Sequence, residues 1–223
     1  MKPLAQVAKT LGSGLALQAG ILLVGVYFQK NAVGAAAIQA AITEFGAGRI
    51  GVMWSDPHAP APSSSAIARR ALRGAAFAAA LAVVLLVVAL LARAASLHMA
   101  PQLGILALVN GLLVATLVAV RDELLLRGVI LHALRGTLTR AAQLVICGLV
   151  AAAASWGSQG GAPLETVLAG LLGVGYAALW MKDRGAWMAW GAHATFHYLM
   201  ATVTHGAVFD VRIAQGSWAQ ALW

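Results

Sequence analysis

With 61% hydrophobic and only 10% charged residues among 223, the chain is too apolar and too poor in charge for an ordinary soluble domain. A mean hydropathy of +0.83 reads instead as an integral membrane protein. The net charge of +8 and the pI near 10.6 do not indicate a nucleic-acid binder, because the basic residues stand in short groups between apolar runs, as topology determinants do. The abundant Ala, Gly and Leu favour closely packed helices over a barrel of alternating strands. The expected fold class is all-α: a polytopic transmembrane helical bundle of about seven membrane segments, forming a single integral membrane domain.

Taken in order, residues 1–10 form a basic leader with Lys2 and Lys9. Residues 11–28 follow as a first span; the small residues after Lys30 make a poor cleavage site, which argues against a removed signal peptide. Residues 32–54 carry Glu44 and Arg49 among many alanines and fit a span, a re-entrant helix or an interfacial one. Residues 55–65, SDPHAPAPSSS, have three prolines and four serines and read as a polar linker in water. Arg69, Arg70 and Arg73 then lead into the most uniformly apolar span, 75–92, and residues 93–102 make a turn. The remaining apolar runs are 103–120, 124–134, 141–156, 164–181 and 186–203. The tail to Trp223 is mixed and suits an interface, as do Trp180, Trp187, Trp190, Trp218 and Trp223. The lone Cys147 has no disulfide partner and reads as a small buried hydrophobe.

If 32–54 crosses, then with Lys2 and Lys9 inside, the Arg69 cluster, the Arg121 to Arg140 group and the Lys182 to Arg184 turn all fall on that same side. The charge motif and the final histidine helix are then expected near the inner face.

Two stretches carry chemistry. Arg121-Asp122-Glu123-Leu124-Leu125-Leu126-Arg127 sets ionisable groups at membrane depth, where they are costly unless they face a bundle interior or a wet cavity and pair with each other. On a helix Glu123 and Arg127 are four apart and can pair, whereas Asp122 projects about 100° from Glu123, which leaves one carboxylate free to work. His193 and His197 share a helix face, a spacing that suits a metal, a developing negative charge, or hydrogen bonds to neighbouring helices. A metal there would have to draw on Asp122 or Glu123, since the glutamate of the His-Glu-x-x-His signature is lacking.

The order Asp122-Glu123-x-x-x-Arg127-Gly128, then an apolar helix, then a span ending in Lys182-Asp183-Arg184-Gly185, then Gly191-Ala192-His193-x-x-x-His197 resembles the CPBP family over residues 117–202. That family comprises CAAX prenyl proteases and bacteriocin-processing membrane proteins. The resemblance implies an intramembrane glutamic-type endopeptidase with no cofactor and no obligatory metal. Its partners would be the lipid bilayer and a membrane-associated peptide or protein substrate, with no nucleic acid. Carried over by position, Asp122 takes the water-activating place, Glu123 and Arg127 the supporting ion pair, and His193 and His197 the oxyanion site.

Three positions depart from the family pattern: Asp122 stands where a Glu is usual, His197 where an Asn is usual, and residues 141–156 contain no histidine. Ser155 or a neighbour occupies the place of the histidine that would share the water. Two main readings follow, a peptidase working near the inner face, or a catalytically inactive relative acting as a binding, immunity or scaffold protein. Transport of a metal or proton through the same buried charges is a third. The expected location is a bacterial inner (cytoplasmic) membrane.

Overall fold

The computed structural model describes residues 4–28, 30–56, 60–158 and 163–214. Lys2, three residues of the polar linker, part of the turn after Ser158 and the tail with Trp218 and Trp223 lie outside the described residues. The helices are α1 (Leu4–Tyr27), α2 (Ala32–Arg49), α3 (Ser64–Leu91), α4 (Ile105–Asp122), α5 (Val129–Leu134), α6 (Arg140–Ser158), α7 (Pro163–Asp183) and α8 (Trp187–Tyr198). α4 runs into α5 through a π-helical segment, Glu123–Gly128, and a second π-helical segment, Leu199–Val203, extends α8. The protein is thus a helical membrane bundle. Leu4–Tyr27, Ser64–Leu91, Ile105–Leu134 and Leu164–Asp183 are each long and apolar enough to cross a bilayer, and Arg140–Trp156 is a shorter apolar helix. Large apolar side chains such as Leu15, Leu23, Val83, Leu106, Leu149 and Leu171 are exposed on the helices, as a lipid surround requires.

The ambiguous second segment folds back along the first. Gln39 Nε2 donates to the Ile21 carbonyl at 3.0 Å, and Gly46 lies against Leu17, so α1 and α2 run antiparallel. The chain after α2 then meets the α7–α8 turn, where Asp56 N donates to Arg184 O at 2.9 Å and Ala186 N to Trp54 O at 2.9 Å. α2 therefore traverses the bundle, and Asn31 caps its start by accepting from Gly34 N at 2.8 Å.

These contacts define a basic end. Arg70 pairs with Asp183 at 3.4 Å and Arg135 with Asp56 at 3.7 Å, and Arg49, Arg69, Arg73, Arg140 and Lys182 stand at the helix ends that converge here. Trp54 stacks on Trp187 at 4.6 Å, and Trp190 meets both edge-on, which fits the expected aromatic belt. Trp180 does not belong to that belt, because it is buried in the core with Leu124, Val129 and Ala177.

At the opposite end two strands not expected from the sequence, β1 (Ala95–Met99) and β2 (Phe209–Ile213), pair antiparallel with Ala95 opposite Ile213 and Met99 opposite Phe209. Ala100 N to Val208 O at 2.9 Å and Gly104 N to Ala207 O at 3.0 Å continue this ribbon toward the start of α4. The expected grouping of Arg121 to Arg140 on the inner side is corrected. Arg135 and Arg140 lie at the basic end, but Arg121 and Arg127 lie within the bundle, because Asp122 is twelve residues before the end of the Ile105–Leu134 helix, or about 18 Å.

α8, which carries both histidines, lies against α3 at backbone distance. A Cβ on Gly74 would strike the Met188 carbonyl, and one on Gly191 the Ala71 carbonyl, so small residues set the helix separation. Gly191→Val is expected to destabilise the fold by about 3 kcal/mol, because backbone rather than a flexible side chain must move. Gly20→Ala, with nothing within 4 Å of its added Cβ, should leave stability unchanged or slightly raised. Thermal unfolding in detergent checks both, and equal behaviour of the two variants would contradict the packing argument.

Candidate active site

The π-helical segment shapes the centre. Val129 N donates to Leu124 O, five residues back, and the wider turn alters the angle at which adjacent side chains leave the helix. Asp122 ends α4 and Glu123 opens this segment. Both reach the same histidine: His193 Nδ1 lies 2.9 Å from Glu123 Oε1, and His193 Nε2 lies 3.9 Å from Asp122 Oδ2. With the carboxylate accepting, Nδ1 carries the proton and Nε2 is directed at Asp122.

The two carboxylates have different settings. Glu123 is 0% exposed and forms an ion pair with Arg127, itself 3% exposed, at 3.3 Å. Arg127 also lies over the Tyr176 ring at 5.3 Å and donates to the Asp122 carbonyl at 3.4 Å. Glu123 Oε2 and Arg127 Nε are buried without a hydrogen-bond partner among the described residues, so the pair depends on the few contacts that it does make. Asp122 instead lies on the wall of a cavity of about 1280 Å³. Arg121 Nε holds Asp122 Oδ1 at 2.6 Å, and Arg121 Nη1 donates to Gln39 Oε1 at 2.8 Å, tying the motif to α2.

α8 supplies the facing wall. His193 stacks on Tyr176 of α7 with centroids 4.8 Å apart, which fixes its ring plane. One turn on, His197 lines the same cavity, and its Nδ1 is buried without a hydrogen-bond partner among the described residues. Of the residues singled out in the sequence, Asp122, Arg127, His193 and His197 line the cavity; Glu123 sits behind it, joined to it through His193. Ser155 lines it too, whereas Trp156 is 54% exposed and is not among the lining residues.

Several cavity residues were not read from the sequence. Gln39 and Tyr176 buttress the centre, and Glu165 at the start of α7 has a buried oxygen, Oε2, with no hydrogen-bond partner among the described residues. His205, just beyond the end of the second π-helical segment, also lines the cavity. The second π-helical segment carries the chain there, and His205 Nδ1 lies 2.7 Å from the Met200 carbonyl. His132 faces a separate small pocket near the basic end with Asp56 and Arg184. Among the described residues no group of three or more His, Cys, Asp and Glu is arranged to hold a metal ion.

A polytopic helical bundle with a carboxylate, arginine and histidine centre between α4 and α8 is the class that fold and site define. The family described as Type II CAAX prenyl endopeptidase Rce1-like matches residues 103–199, from the approach to α4 through the start of the second π-helical segment. Over those residues the match supports the resemblance to the CPBP family. Comparison with curated proteins and with solved structures finds no match.

Proposed function

We propose that the protein is an intramembrane endopeptidase of the CAAX-protease-like type, acting as one membrane domain in a bacterial inner membrane on a membrane-associated polypeptide. The observation that carries this reading is the division of labour between adjacent carboxylates: Asp122 borders the cavity, while Glu123 is buried behind it in an ion pair. Asp122 Oδ2 takes a proton from a cavity water, and the hydroxide adds to the scissile carbonyl carbon. Negative charge moves to the carbonyl oxygen, where an N–H of His197 stabilises it, joined by Nε2–H of His193 when that ring carries both protons and keeps Nδ1–H on Glu123. The intermediate collapses as the C–N bond breaks, and the proton held by Asp122 passes to the leaving amine. Glu123 and Arg127 take no proton; they hold His193 in the orientation that this requires.

One observation favours the alternative of a catalytically inactive relative that binds a membrane partner. α6 faces the cavity with Ser155 and small residues rather than a histidine, so no imidazole from that helix shares the water. The test is cleavage of a membrane-tethered peptide library by purified protein, followed by Ser155→His. The peptidase reading expects wild-type cleavage and a turnover about tenfold higher in Ser155→His, a modest share of the roughly 10²-fold or more that a well-positioned acid or base contributes. A wild type that binds tethered peptides but cleaves none would leave the binding reading standing.

A further inference from the structure

The cavity is not centred in the bundle. On α6 its lining residues lie near the C-terminal end, at Ala151 to Ser155; on α7 they run from Glu165 to Tyr176; and on α8 they run from His193 onward to His205. From Tyr176 and His193 at the centre, these residues lead away from the basic end. The walls there are accessible, with Ala153, Ala154, Ala201 and His205 all exposed. In the other direction the Asp122 and His193 centre meets packed protein: Leu124 and Val129 are 2% exposed, and beyond them lie the tryptophan cluster and the Arg70–Asp183 and Arg135–Asp56 pairs. A pocket that the described residues form there has a volume of about 30 Å³, too small for a peptide.

Charge fixes which face is which. Lys and Arg crowd the basic end, whereas the ribbon end holds Lys30, Arg93 and Arg212, with Arg212 paired to Asp210 at 3.0 Å. Short connections rich in Lys and Arg are retained on the cytoplasmic side. We propose that the centre is loaded from the face opposite the basic end, the non-cytoplasmic face. Its substrate is then a membrane-anchored polypeptide whose scissile segment is presented on that face. What is bound rests on the peptidase reading above; the side of access does not.

The test therefore has two arms. In a Cys147→Ala background, which removes a buried thiol, single cysteines are introduced as Ala154→Cys in the cavity wall, Met99→Cys on the ribbon and Met53→Cys at the basic end. Each is treated with a membrane-impermeant maleimide in sealed right-side-out cells and in inverted vesicles. Ala154→Cys and Met99→Cys should label from outside, and Met53→Cys only in inverted vesicles. Labelling of Ala154→Cys in inverted vesicles alone, together with Met53→Cys, overturns the proposal. The second arm offers singly anchored reporters with the same cleavable segment on one face or the other. Cleavage confined to the non-cytoplasmic segment supports the proposal, and cleavage confined to the cytoplasmic segment overturns it. External labelling of Ala154→Cys with neither reporter cleaved sustains the side of access and counts against the peptidase reading.

Discussion

Asp122→Asn is expected to lower turnover by about 10²-fold or more while leaving thermal stability close to wild type. The amide keeps the shape of the carboxylate but cannot accept a proton from water. The stability expectation comes from what Asp122 touches. Its partner Arg121 has a side chain 24% exposed to the cavity and keeps a hydrogen bond to Gln39, so losing one charge leaves no stranded ion. A partly hydrated pair of this kind contributes at most about 1 kcal/mol. Cleavage of a tethered reporter beside a detergent melting curve reads both quantities, and a large drop in melting temperature with only a proportionate loss of activity would assign Asp122 a structural role.

The adjacent substitution should behave in the opposite manner. Glu123→Gln leaves Arg127, whose side chain is 4% exposed, without its counter-ion in the bundle interior, and also removes the carboxylate that holds His193 Nδ1. Breaking one side of a buried pair typically costs 3–5 kcal/mol, so a loss on the order of 3 kcal/mol is expected along with reduced activity. A second variant separates the two effects. Glu123→Gln combined with Arg127→Met removes both charges and should regain much of the stability, but not the activity, because His193 still lacks its positioning partner. If the double variant is as unstable as the sum of its single changes, the pair is not coupled as the 3.3 Å contact indicates.

The sequence made the class and the centre readable for physical reasons. Long apolar runs broken by short basic groups have few meanings, and a seven-residue stretch with four charges inside such a run demands a polar interior. The Glu123 and Arg127 pairing follows from helical spacing alone, as does the shared face of His193 and His197. What was not legible was anything set by geometry beyond that spacing. The π-helical segments leave no mark in composition, yet one begins at Glu123, beside Asp122, and the other leads to His205 at the cavity. Gln39 looked like an ordinary polar residue in a weak segment; its role appears only when α2 folds back and meets Arg121, 82 positions away. Arg121 and Arg127 read as topology charges in the sequence, although they are spent on carboxylates within the bundle.

The claim on which the rest depends is that Asp122 activates a water that cleaves a peptide bond. The most direct measurement is mass spectrometry of a membrane-tethered reporter cleaved in water labelled with heavy oxygen, by wild type and by Asp122→Asn in parallel. The account predicts two product fragments with heavy oxygen in the new carboxyl group for wild type, and no fragments above background for Asp122→Asn. Fragments formed at equal rates by both proteins would contradict it.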